Sequence, residues 1–228
     1  MKLCIALDLA SMQENLHLLN LLKHKDGLWV KVGLRSFIRD GKTFLEAIKT
    51  INANFKIFLD LKLYDIPHTM KNSIHEITKL GVDMITIHAS SGRESMKMVM
   101  KALREAKKPP LAMAVTALTS FDEKSFSEVY HTSIQSQVLN LSKMAAQEGI
   151  NGVVCSCLES LMIKEQIGEE FLTLTPGIRP FEEDKGDQKR VANLAQAKQA
   201  KSDFIVIGRP IYDAKNPLEA VDKILKSI

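Results

Sequence analysis

Eight short apolar runs, each followed by a stretch with helical apolar spacing, predict an α/β fold: a single (β/α)8 TIM barrel of eight parallel strands spanning residues 1–228. Three observations carry this expectation. The runs recur about every 25 to 30 residues, the length of one strand–helix unit. They are apolar without strict alternation, as strands covered by helices must be. Their C-terminal ends carry Asp8, Lys31, Asp60, Lys62, His88, Thr119 and Arg209, and that end is where such a barrel keeps its chemistry. An open doubly wound sheet shares the alternation, so the count of eight decides for closure.

The elements follow in order. Leu3 to Leu9 reads as strand one, and Ser11-Met12-Gln13-Glu14 is a capping box opening a helix with Leu16, Leu19 and Leu22 on one face. Leu28 to Gly33 is a second apolar strand with Lys31 embedded in it, and Ser36 to Thr50 has helical spacing. Phe55 to Leu59 leads into Asp60, and Pro67 suits the first turn of a helix that Gly81 ends. Val82 to His88 is strand four, followed by an amphipathic helix to about Lys107. Leu111 to Leu118 is strand five; after a polar insertion a helix runs from Ser133 to Glu148. Gly152 to Cys157, Phe171 to Thr175 and Phe204 to Ile207 complete the strands, with helices at Glu159 to Ile167 and from Pro217 onward.

Composition narrows the function. A net charge of +4, with acids and bases interleaved, forms no basic stripe, which argues against nucleic acid and against a membrane surface. No run is long enough to span a bilayer, and Asp8 ends the N-terminal apolar run too soon for a secretory signal. Three cysteines in a chain this large predict reduced thiols and a cytoplasmic location. Cys155 and Cys157 lack the two further soft ligands a metal pair needs, so they read as strand packing.

The stretch Asp60-Leu61-Lys62-Leu63-Tyr64-Asp65-Ile66-Pro67-His68-Thr69 organises the rest. Asp60 and Lys62 are two apart on one strand and leave the same face, where neither charge survives burial without partners. A structural salt bridge capping the sheet is the alternative; Asp65 adds negative charge and favours a functional site. Strands seven and eight end in Thr175-Pro176-Gly177-Ile178-Arg179 and Gly208-Arg209-Pro210, placing a glycine and an arginine at both rims where such barrels bind phosphate. The charged segment between Arg179 and Gln188 reads as a lid, with a solvated surface loop as the alternative.

These motifs in this order resemble the orotidine 5'-phosphate decarboxylase family along essentially the whole chain. The most specific is Asp60-x-Lys62-x-x-Asp65-Ile66-Pro67-x-Thr69, supported by Ala6-Leu7-Asp8, Val30-Lys31-Val32-Gly33, the run from Val115 to Ser120, Thr175 to Arg179, Asp187-Gln188-x-Arg190 and Gly208-Arg209. The resemblance implies decarboxylation of orotidine 5'-phosphate to uridine 5'-phosphate, the last step of de novo UMP synthesis, without metal or organic cofactor. It implies that Lys62 stabilises and protonates a C6 carbanion, that Asp60, Asp65 and Lys31 complete a charge array, and that Asp8 and Lys31 touch the ribose. Thr119 and Ser120 fall where the family reads the pyrimidine, Gln188, Gly208 and Arg209 where it grips phosphate, with Arg179 nearby. Asp65 and Thr69 would enter the neighbouring subunit's site, making a homodimer with shared sites. One departure stands after Arg190, where Val191-Ala192-Asn193-Leu194 replaces a threonine and proline found in many bacterial members. The rivals are a magnesium-dependent sugar-phosphate decarboxylase or hexulose-phosphate synthase, a metal-dependent pentose-phosphate epimerase, and a noncatalytic phosphonucleotide-binding barrel.

Overall fold

The computed structural model describes residues 1–181 and 189–228. Eight strands, β1 (Lys2–Ala6), β2 (Trp29–Gly33), β3 (Lys56–Leu63), β4 (Met84–His88), β5 (Leu111–Val115), β6 (Gly152–Val154), β7 (Leu172–Thr175) and β8 (Phe204–Ile207), pair in chain order into a closed barrel. Every pairing is parallel, and β8 returns to β1 through Lys2↔Phe204 and Ile5↔Ile207, which excludes the open sheet. Alternation along the strands makes the runs apolar throughout. One set of side chains, including Cys4, Ala6, Trp29, Phe58, Met113 and Phe204, fills the barrel. The other, including Ile5, Val30, Ile57, Ile85 and Ile207, packs against the helices.

The helices are α1 (Met12–Leu21), α2 (Leu34–Ile51), α3 (Pro67–Thr78), α4 (Arg93–Arg104), α5 (Glu123–Tyr130), α6 (Ile134–Gln147), α7 (Cys157–Ile167), α8 (Leu194–Gln199), α9 (Arg209–Tyr212) and α10 (Pro217–Ser227). The Ser11–Glu14 capping box and Pro67 in the first turn of α3 are where the sequence puts them. In α2 a kink falls at Gly41, whose φ of 55° a side chain would resist. The region between β5 and α6 is more than a polar insertion: Asp122 caps α5, with Phe121, Phe126 and Tyr130 clustered on it. Strand six is shorter than expected, because Ser156 accepts from Leu158 N–H and Glu159 accepts from Ser156 N–H, so the chain turns into α7. Cys157 is therefore a helical residue, not a strand residue, and both it and Cys155 are buried thiols. Asn193 caps α8 by accepting from Gln196 N–H, so the departure after Arg190 still starts a helix. No described helix is long and apolar enough to cross a membrane.

The N-terminal end of the barrel is fixed by acids that precede strands. Asp83 accepts from Ile57 N–H and pairs with Lys49 and Lys56; Asp203 accepts from Thr173 N–H and from the buried Lys164 ammonium at 2.7 Å. Charge there holds strands together. At the opposite end it surrounds a cavity.

Candidate active site

The C-terminal ends of the strands enclose a cavity of about 470 Å³. Its floor is apolar, made by Ala6, Phe58, Val115, Val154, Leu174 and Val206, the uppermost layer of the barrel interior. Around the rim stand Asp8, Lys31, Asp60, Lys62, Thr119, Ser120, Gly177, Arg179, Gly208 and Arg209, residues from six different strand ends. An apolar floor with convergent polar groups is the usual form of a small-molecule site.

Four of these residues form an alternating chain of charge. Lys31 Nζ lies 3.2 and 3.3 Å from the two Asp8 oxygens and 3.8 Å from Asp60 Oδ2. Lys62 Nζ donates to Asp60 Oδ1 and Oδ2 at 2.9 and 2.8 Å. Burial alone would push the Asp60 carboxyl up, but Lys31, Lys62 and the hydroxyl of Thr86 outweigh it and hold Asp60 below its ordinary 3.8. Burial likewise pulls the Lys31 ammonium down, while Asp60 and Asp8 hold it above its ordinary 10.5. Both are ionised at neutral pH. Exposure is graded, since Asp60 is buried while the Lys62 side chain is 40% exposed at the cavity. Room for the outer pair depends on Gly33, where a Cβ would stand 2.9 Å from Lys31 Nζ and 3.1 Å from Asp8 Oδ1.

Simple alternation does not by itself place Lys62. Its φ is 51°, in the left-handed region, and the β3–β4 register jumps from Leu59↔Ile85 to Leu63↔Ile87. Residues 60–62 of β3 thus face the single residue Thr86 of β4, a bulge that re-aims the lysine over its own aspartate. A left-handed non-glycine residue costs about 1 kcal/mol or more, and such strain persists where surrounding contacts over-determine it.

The remaining expected residues divide. Gly177, with φ 80°, and the buried Arg179 follow β7, while Gly208 and Arg209 follow β8, so the two rims face one cavity. Thr119 is buried in the cavity wall after β5, beside Ser120. Asp65 and Thr69 do not line the cavity: Asp65 is exposed and its carboxylate accepts from Ile66 N–H at 2.7 Å, and Thr69 is exposed on the first turn of α3. Gln188 and most of the expected lid, residues 182–188, lie outside the described residues. His88 is half-buried beneath Tyr64, and burial followed by the Lys62 charge hold its imidazole below 6.5. Its Nδ1 has no partner among the described residues.

Tyr212 escaped the sequence reading, and Arg190 entered it only as part of a motif, without a role. Tyr212 on α9 forms a wall behind Gly208. Arg190 reaches from the loop after β7 to Glu159 Oε1 at 2.6 Å and to the carbonyls of Ala117 and Leu118, both at 3.2 Å, so it ties the Thr119 wall to α7. Its partners lie 31, 73 and 72 residues away, beyond any local pattern. Among the described residues no three His, Cys, Asp or Glu side chains converge in a way that could hold a metal ion.

Comparison with known proteins fits this geometry. The profile of the orotidine 5'-phosphate decarboxylase / HUMPS family matches residues 1–224. An orotidine 5'-phosphate decarboxylase from Nitratiruptor sp. is 57% identical over 228 residues, covering 100% of both chains. One from Helicobacter pylori is 58% identical over 226 residues, 99% of each. The crystal structure of orotidine 5'-phosphate decarboxylase from Lactobacillus acidophilus superposes with a TM-score of 0.85 at 35% identity, covering 99% of this chain and 98% of that one. Profile, identity along the full length and backbone path agree, and the chain belongs to the orotidine 5'-phosphate decarboxylase / HUMPS family.

Proposed function

We propose that the chain, as one catalytic domain, decarboxylates orotidine 5'-phosphate to uridine 5'-phosphate and carbon dioxide, the last step of UMP synthesis, in the cytoplasm and without a cofactor. The observation that carries this reading is the alternating Asp8–Lys31–Asp60–Lys62 array over an apolar floor. The substrate carboxylate on C6 comes to lie against Asp60, where like charge raises its energy, and that repulsion falls as carbon dioxide leaves. The C6–carboxyl bond breaks with its electron pair left on C6. The Lys62 ammonium stabilises that pair and then gives it a proton; neutral Lys62 regains one from solvent. Asp8 and Lys31 hold the ribose, and Thr119 with Ser120 reads the pyrimidine edge. Arg209, Arg179, Gln188 and the backbone N–H of Gly208 grip the phosphate, whose remote binding energy positions the reacting carbon. Asp65 and Thr69 act in the site of a second subunit, which makes the working enzyme a homodimer with shared sites.

The donor pattern supports this over the magnesium-dependent sugar-phosphate reading. Both Asp60 oxygens already accept from Lys62, and Thr86 also donates to Oδ1, while both Asp8 oxygens face Lys31. A divalent cation would have to displace ammoniums to enter. The test is loss of the orotate absorbance on incubating the purified chain with orotidine 5'-phosphate, with and without a strong chelator. Turnover that survives chelation is expected. No turnover, with product still bound, would leave a noncatalytic nucleotide-binding barrel.

A further inference from the structure

We propose that Thr86, which does not line the cavity, is the positioning residue that sets both Lys62 and Asp60 for reaction. It lies on β4, 1% exposed, directly opposite the bulge of β3. Its hydroxyl accepts from Lys62 N–H at 2.9 Å and donates to Asp60 Oδ1 at 2.9 Å. The Lys62 ammonium closes a ring by donating to the same carboxylate. The bulge creates the need. With residues 60–62 facing one residue of β4, Lys62 N–H donates to the side-chain oxygen of that residue. A hydroxyl can donate once and accept at the same time, so one atom serves both the backbone of the lysine and the carboxylate of the aspartate.

Thr86 thereby holds Lys62 at its positive φ and fixes which way the Asp60 oxygens face. Without the hydroxyl, Lys62 N–H loses this acceptor and the left-handed turn loses its tether. The strand relaxes and the ammonium moves off the carboxylate. Proton delivery to a carbon is sensitive to displacements of this size, whereas the proposed phosphate grip follows β7 and β8, away from β4. Valine keeps the shape and β-branching of threonine but has no hydroxyl; serine keeps the hydroxyl and loses a methyl.

The inference rests on Lys62 as the proton donor in the proposed decarboxylation, and the test separates the two. The wild type, Thr86→Val and Thr86→Ser are assayed with orotidine 5'-phosphate well below their melting temperatures, and crystal structures of wild type and Thr86→Val are compared. Expected are a kcat for Thr86→Val lowered by about 30-fold or more, a KM within about threefold of wild type, and Thr86→Ser within about threefold in both. A Thr86→Val kcat within about threefold of wild type, a Thr86→Ser enzyme as slow as the valine variant, or KM rising in step with the loss overturns the proposal. If Thr86→Val does not fold, Thr86→Ala takes its place under the same criteria. If the wild type turns over nothing, the proposed activity fails by itself and the structures decide: Lys62 leaving positive φ supports the positioning role, and an unmoved Lys62–Asp60 pair overturns it.

Discussion

Removing the Lys62 side chain separates the two tasks proposed for it, stabilising charge and giving up a proton, from the fold around it. The side chain is 40% exposed and its stem fills no core, so Lys62→Ala should fold while losing several kcal/mol of transition-state stabilisation. Steady-state turnover checks this, and a kcat within about tenfold of wild type, or roughly 1.4 kcal/mol, would sink the assignment. The pair itself was legible in the sequence, because opposite charges two apart at the end of an apolar strand share a face and need one another to tolerate burial there. The way the backbone achieves it was not. A left-handed lysine carries none of the glycine or asparagine signals that announce such a conformation, and its partner Thr86 belongs to another strand.

Elements deliver the other groups, and their boundaries decide where each arrives. The loops after β7 and β8 were readable from their repeated glycine and arginine, and the proposed phosphate grip lives there. Arg209→Ala should weaken binding and also slow the reaction, since energy gained at a remote phosphate serves the reacting centre. Kinetics with a truncated nucleoside substrate and added phosphite dianion measure this. Phosphite should restore part of the wild-type rate, and a variant that binds product as tightly as wild type would move the anion site elsewhere. Strand β6 depends on a close backbone approach. A Cβ on Gly152 would stand 2.2 Å from the Leu172 carbonyl oxygen, so β6 and β7 lie too near each other there for any side chain. Gly152→Ala should cost about 1–3 kcal/mol or more, read as a lowered melting temperature. The sequence offered this glycine as the start of a strand without revealing the close approach, which is made by a neighbour 20 residues on. Helix α5 was missed for a related reason: it buries Phe126 alone, too little to print a periodicity.

At the scale of the molecule, closure was legible because eight units leave no unpaired edge, and the pairing of β1 with β8 is its realisation. Assembly is a separate question that one chain answers by what it leaves uncovered. Tyr64 and Ile66 flank Asp65 and are 65% and 67% exposed, beside Pro67, which fixes the direction of the chain as it leaves the barrel. Large apolar side chains around an outward-facing acid suit a subunit face, and an acid there can complete the charge array of a two-fold partner. Mixing inactive Asp65→Ala subunits with inactive Lys62→Ala subunits should then regenerate activity. In each mixed dimer one site combines intact Lys62 from the first variant with intact Asp65 from the second, while the other site lacks both. Random reassortment makes about half the dimers mixed, each with one repaired site, so roughly a quarter of wild-type activity returns. Activity measured after subunit exchange, with the exchange verified by native mass spectrometry, decides the matter: no recovery would confine Asp65 to its own subunit and remove the requirement for a dimer.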